Sequence, residues 1–164
     1  MESAPLKRTA VYAALFLLFF IETVMPEALY LFGCRPELLL VAVIFFGFNF
    51  GFLAGIEIGA ISGILKDTLS VGTFGVNAIS FSFIGFLAGY LKDKLFKENI
   101  IAQFFFSGLA VYFISAVYFF GPDKLKLAGA DGEFWHISFY KALYTGALAP
   151  LLFFIFARIF KRCE

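Results

Sequence analysis

The fold turns on residues 36–69, PELLLVAVIFFGFNFGFLAGIEIGAISGILKDTL. At about 1.5 Å of rise per residue, one helix over this stretch would be roughly 50 Å long. A membrane span takes about 20 residues to cross roughly 30 Å of hydrocarbon, with about 17 to 25 tolerated. The stretch is therefore too long for one crossing and slightly short for two. Charge decides between them. A hairpin turning near Gly47, Asn49 and Gly51 puts eight basic residues inside (Lys7, Arg8, Lys92, Lys94, Lys97, Arg158, Lys161, Arg162) and five outside (Arg35, Lys66, Lys124, Lys126, Lys141). One long helix swaps the later loops and leaves six against seven. Cytoplasmic loops collect Lys and Arg, so the hairpin is the better reading. Its two short spans call for local thinning of the bilayer or burial inside a bundle.

Working outward, the chain reads as an all-α integral membrane protein, a single transmembrane domain over residues 1–164. Its six expected spans lie near 9–25, 36–50, 51–69, 76–91, 100–120 and 137–160, with both termini cytoplasmic. The composition agrees: 62% hydrophobic and 15% charged residues, with a mean hydropathy of +0.91, against roughly 45–50% and about 25% in soluble domains. A net charge of +1 argues against a nucleic-acid surface, which needs a clustered basic patch. Lys7 and Arg8 precede the first span, and no small-x-small cleavage site follows it before Pro26 and Glu27, so it reads as a retained anchor. Pro36 suits a first helical turn, Pro122 follows a helix end, and Pro150 should kink the last helix. Trp135 and Tyr140 begin the last span at the outer interface, from where Lys141 can snorkel outward. Cys34 and Cys163 fall on opposite faces in this topology, too far apart to pair.

Gly51, Gly55, Gly59 and Gly63 recur every four residues, and Asp67 continues the spacing. Residues four apart share nearly one helix face, and small-xxx-small faces let helix backbones approach closely in lipid. The third helix is thus expected at the centre of the bundle, with Ser82, Gly85 and Gly89 facing it. Such a groove serves a second copy as readily as a helix of the same chain, which leaves a homo-oligomer open. Glu57 lies about 200° around the helix from Gly55 and Gly59. An ionisable group at membrane depth raises a functional-site expectation by default, with Asn49, Asn77 and Gln103 as candidate partners. Glu22, Glu27, Arg35, Glu37, Lys66, Asp67 and Lys141 all fall near the outer face. Glu22 at a helix C-terminus and Lys141 near an N-terminus are each disfavoured by the helix dipole. Each is better placed beside an opposite charge, so an outer charged network and partner contact are expected.

No His-Glu-x-x-His, Cys-x-x-Cys, P-loop or Gly-x-Ser-x-Gly pattern is present. Ser62 before Gly63 is the nearest approach to a nucleophile, and the single histidine, His136, is expected in an outer loop beside Trp135. The chain reads as a non-enzyme without cofactor or metal.

From Arg35 onward the sequence resembles the rod shape-determining protein MreD family. The residues are Arg35-Pro36-Glu37 opening a Leu-rich span, Gly51-Phe52-Leu53-Ala54-Gly55, Gly59, Ile61-Ser62-Gly63-Ile64-Leu65-Lys66-Asp67, and Gly72-Thr73-Phe74-Gly75-Val76-Asn77-Ala78. Gly59, Gly63, Asp67, Gly72, Gly75 and Asn77 carry the likeness, and residues 36–93 match best. The resemblance implies a non-enzymatic scaffold of the cell-elongation machinery in the bacterial inner membrane. It would bind MreC and other elongation-complex membrane proteins, helping to couple MreB filaments to peptidoglycan synthases. In physical terms, Gly72 and Gly75 permit backbone angles closed to other residues, while Asp67 and Asn77 bracket the turn and can bond its N–H groups. Asn77 is placed to cap the next helix.

A different class has similar size and span count: the vitamin-binding membrane component of an energy-coupling-factor transporter, to whose fold the family's own is thought related. Ala10 and Ala14 supply an Ala-x-x-x-Ala pattern on the first helix, of the kind such components dock through. A vitamin site needs a concave pocket with convergent polar groups, which here would come from Glu57, the outer charges and the loop over residues 121–136.

Overall fold

The computed structural model describes residues 3–24, 34–69, 74–92, 100–120 and 131–161. Six α-helices account for nearly all of them: α1 Ser3–Val24, α2 Leu38–Phe50, α3 Phe52–Leu69, α4 Val76–Leu91, α5 Ile100–Phe120 and α6 Asp131–Lys161. Helix α5 and the Phe134–Ile159 part of α6 are long and apolar enough to cross a membrane, and α1, α2 and α4 carry shorter apolar runs. Gly72, Glu27, Pro122, Lys124, Lys126 and Cys163 lie outside the described residues.

The stretch 36–69 is broken at one residue. Gly51 alone separates α2 from α3, with φ +91° and ψ −178°, a conformation open essentially only to glycine. Its N–H donates to the Gly47 carbonyl at 2.9 Å and its own carbonyl accepts from Gly55 at 2.9 Å, so the bend pairs one of the groups that each helix end leaves open. Helix α2 begins at Leu38, two residues beyond Pro36, with Glu37 at its N-cap position. Because Glu37 makes no side-chain cap bond, its carboxylate is available elsewhere.

The central helix is α2, which corrects the expectation that the glycine-bearing α3 holds that place. Residues 38–48 of α2 are all buried, packed against α3, α4, α6, α1 and α5. A helix that is apolar all round is buried all round. At 13 residues, or about 20 Å, α2 is also too short to face hydrocarbon along a full crossing, and its neighbours cover it. Phe45 meets Phe153 and Phe156 of α6, each with ring centroids 5.3 Å apart, and Phe48 meets Phe106 of α5 at 5.2 Å.

Helices α3 and α4 form the tightest pair. A Cβ built on Gly55 would lie 2.1 Å from the Gly85 carbonyl oxygen, one on Gly59 2.4 Å from that of Phe81, and one on Gly63 2.4 Å from the Ala78 Cα. Gly85 and Gly89 reciprocate against Gly55 and Phe52. Backbone thus rests on backbone along the seam, the geometry in which small residues let membrane helices associate. Outward faces carry large apolar side chains, among them Phe16, Phe20 and Val24 on α1, Phe105 and Leu109 on α5, and Leu151 and Phe154 on α6. His136 lies on an exposed turn inside α6, which begins before the expected span, and not in a loop.

Candidate functional site

One end of the bundle gathers the charged residues. The C-terminal ends of α1, α3 and α5 and the N-terminal ends of α2, α4 and α6 enclose a cavity of about 270 Å³. Its lining includes Glu22 and Thr23 from α1, Arg35 and Glu37 ahead of α2, Lys66 from α3, Asn77 from α4, Tyr118 from α5 and Lys141 from α6. Every described helix contributes to it.

Within this lining the charges pair across helices. Lys66 meets Glu22 at 3.2 Å and also pairs with Glu37. Lys141 pairs with the other oxygen of Glu37. Glu37 is 5% exposed, so its carboxylate is desolvated and depends on these two ammonium groups. The backbone N–H of Glu37 donates to Thr145 Oγ1 at 3.2 Å, and that of Leu39 to Glu22 Oε2 at 3.0 Å. Glu22 therefore caps α2 from α1, satisfying one of the N–H groups that a helix start leaves open. The dipole conflict at the C-terminus of α1 is answered by the favourable N-terminus of α2 and by Lys66. Lys66 also lies 5.4 Å from the centre of the Phe81 ring, a cation–π distance. Arg35 is exposed at the rim. Nearby, the Cys34 Sγ donates to the Ile137 carbonyl at 3.5 Å. Burial pushes that thiol's pKa up, with the charge of Lys141 pulling the other way.

The turn beside the cavity is tied by Asp67, which is 3% exposed. Its carboxylate accepts from the backbone N–H groups of Gly75 (2.9 Å), Asn77 (3.2 Å) and Ala78 (3.1 Å), and from Asn77 Nδ2 (2.9 Å). A carboxylate at a helix N-terminus meets both the open N–H groups and the positive end of the dipole. Asp67 at the end of α3 is therefore the cap of α4, which corrects the assignment of that role to Asn77. The N-cap position itself is Gly75, at φ +100°, where left-handed backbone lets the chain enter α4 with its N–H groups turned toward Asp67. Asn77 sits within the first turn, 1% exposed, and its Oδ1 accepts no hydrogen bond among the described residues.

Glu57 lies apart from the cavity. It is exposed on α3, and the Tyr12 hydroxyl of α1 donates to its Oε1. Sequence reasoning named Asn49, Asn77 and Gln103 as partners and missed Tyr12. No local signal joins the two, which stand 45 positions apart in the chain. Asn49 instead bonds the Phe45 carbonyl four residues back, at 2.8 Å. Tyr118, Thr23 and Thr145 were also unmarked, since nothing in a single polar residue on an apolar helix says which end of the bundle it will meet. Among the described residues no group of three or more His, Cys, Asp or Glu is placed to hold a metal ion.

Among known proteins, the family model described as rod shape-determining protein MreD matches residues 6–162 of the 164-residue chain. No curated protein and no solved structure matches.

Proposed function

The chain belongs to the rod shape-determining protein MreD family, which gives it a role in setting cell shape, and we propose that it plays this role as a non-enzymatic scaffold in the bacterial inner membrane. In this reading the chain crosses the membrane six times with both termini in the cytoplasm. It binds MreC and helps couple MreB filaments to peptidoglycan synthases. The observation that carries the reading is the convergence of all six helices on one charged cavity, with alternating N- and C-terminal ends, in a chain whose flanks expose large apolar side chains. Alternating ends at one face are what an up-and-down traverse of a bilayer produces. Extensive apolar exposure is what lipid or a partner covers. The Tyr12–Glu57 pair adds a polar mark on an outward face at membrane depth, suited to a partner helix because polar groups hold helices together in lipid.

Affinity capture of the full chain in mild detergent tests this. Recovery of MreC and elongation synthases, with loss of rod shape on depletion, is the expected result. Recovery of an ATPase pair with a large transmembrane coupler would overturn it in favour of vitamin uptake, an alternative that draws nothing from the family match.

A further inference from the structure

We propose that the outward face shared by α1 and α3 seats one membrane helix of a partner protein, a helix that carries a lysine or arginine at the depth of Glu57. The inference rests on the scaffold reading above and names what that partner must bring.

The register of α1 and α3 fixes the depth. Lys66 pairs with Glu22, 44 residues earlier, and Glu57 with Tyr12, 45 residues earlier, so the two helices run parallel and in step. Glu57 precedes Lys66 by nine residues, which at about 1.5 Å per residue sets it roughly 14 Å below the charged end of the bundle. Toward the other end, the Lys92 ammonium stands beside Gly51, six residues or roughly 9 Å along α3 from Glu57. Glu57 thus lies between the two charged ends, and among the described residues it is in no ion pair. Its Oε1 accepts from the Tyr12 hydroxyl, while its Oε2, on an exposed side chain, meets no donor among the described residues. A carboxylate at membrane depth is costly and almost always finds a partner. One hydroxyl leaves half of this one unmet.

The face is long enough for a helix. Residues three or four apart share a helix face, so Phe16 and Phe20 continue the stripe of Tyr12 on α1, and Leu53 and Ile64 flank Glu57 on α3. All four are open on the outside. Leu53 to Ile64 covers about 17 Å, three turns, along which a further helix can lie with Glu57 near the middle. Charge chooses the occupant. A second copy of this chain brings no cation to this depth: Arg35, Lys66 and Lys141 line the cavity, and the other basic residues among those described stand at the opposite helix ends. A two-fold contact through this face would also set Glu57 near its own copy, like charge against like. A lysine or arginine from another protein meets Oε2 in a charge-assisted bond and takes both charges out of contact with lipid.

The test reconstitutes the full chain in phosphatidylcholine vesicles with a designed leucine-alanine single-span helix as probe, association being read by energy transfer between dyes. A probe with one central lysine is expected to associate about threefold to thirtyfold better than the same probe with leucine there, the range that polar contacts between membrane helices give. Moving the lysine two turns toward either end should abolish the preference. So should Glu57→Gln, which keeps an acceptor for Tyr12 and should leave the unfolding temperature unchanged. Glu57→Lys should transfer the preference to a probe with a central glutamate. Equal association of the lysine and leucine probes, or a preference that survives Glu57→Gln, would overturn the proposal. In cells, a photo-crosslinker placed at Leu53 or Ile64 is expected to trap a membrane helix with a lysine or arginine in its middle. Trapping of a second copy, of lipid alone, or of a helix apolar through its middle would overturn the proposal and leave the scaffold reading standing. Release of the chain from membranes by alkaline carbonate would overturn both.

Discussion

Gly55→Ala is the sharpest probe of the α3–α4 seam. The added Cβ would stand 2.1 Å from the Gly85 carbonyl oxygen and 2.7 Å from its carbonyl carbon. Ordinary contact begins near 3.4 Å, so the two backbones must part by about 1.3 Å. No side-chain rotation relieves this, because both obstructing atoms are main chain. Gaps of about 0.5–1 Å already forfeit a quarter to a half of the dispersion attraction, and the loss is shared by the contacts at Gly59 and Gly63. Overpacking typically costs about 1–3 kcal/mol, and backbone-on-backbone contact puts this site near the top of that range. Alanine recovers up to about 1 kcal/mol of helix propensity over glycine. The net expectation is a loss of about 2 kcal/mol, a factor of roughly 30 in the folding equilibrium.

Reversible unfolding in mixed detergent micelles, followed by circular dichroism, measures it. The control is Gly108→Ala, whose Cβ would meet its nearest atom, the Ala142 carbonyl oxygen, at 3.4 Å. That variant keeps the propensity gain without the clash and should be neutral or more stable by up to about 1 kcal/mol. If Gly55→Ala unfolds no more easily than Gly108→Ala, close backbone contact is not what holds α3 to α4, and the argument from the glycine seam is refuted.

Five further outcomes follow from the site, the Gly51 bend and the Tyr12–Glu57 pair. Asp67→Ala removes the acceptor for four N–H groups at a buried helix start and should cost about 2–4 kcal/mol; Asp67→Asn keeps one acceptor oxygen and should cost clearly less in the same unfolding assay. Lys141→Gln leaves the buried Glu37 carboxylate short of a partner and should cost up to about 3–5 kcal/mol, while Glu37→Gln combined with Lys141→Gln should be milder than the single change, a coupling read from the double-mutant cycle. Gly75→Asn should be tolerated within about 1 kcal/mol, because asparagine enters left-handed backbone at low cost. Gly51→Asn, at an extended positive-φ conformation, should cost about 1–3 kcal/mol. Tyr12→Phe should change stability by under about 1 kcal/mol, since Glu57 is exposed, yet weaken MreC capture; unchanged capture would detach the Tyr12–Glu57 pair from partner binding.

The glycine spacing was legible because helical geometry turns a four-residue period into a face before anything else is known. The gathering of charge at one end was legible for a similar reason, since helix ends inherit their side from the order of the spans. The pairing was not. Glu37 is 104 residues from Lys141 and Glu22 is 44 from Lys66, and no local rule joins them. The sequence misplaced the bundle centre because glycine was weighed above length. Gly51 divides residues 36–69 unevenly, and the shorter half, apolar from Leu38 to Phe48, had to be the one enclosed. Asn77 was misread as a cap because it brackets the turn in sequence, whereas the acceptor lies ten residues earlier, where the end of α3 brings a carboxylate under the start of α4.

These features act on one another. Glycine contacts set how near α3 and α4 stand, and Asp67 fixes where the second begins relative to the end of the first. Lys66 precedes Asp67 by one residue and Asn77 is one of the groups Asp67 holds, so the same cap places one wall of the charged cavity. A Cβ on Gly63 would fall 2.5 Å from the Asn77 carbonyl oxygen, which makes the outermost glycine of the seam a direct support of that wall. Lys66 then reaches Glu22 on α1 and Glu37 ahead of α2, and Lys141 brings in α6. Among the described residues, the motif positions that carry the family likeness are thus packing and capping residues whose product is the position of two polar side chains, Lys66 and Asn77, on the cavity wall.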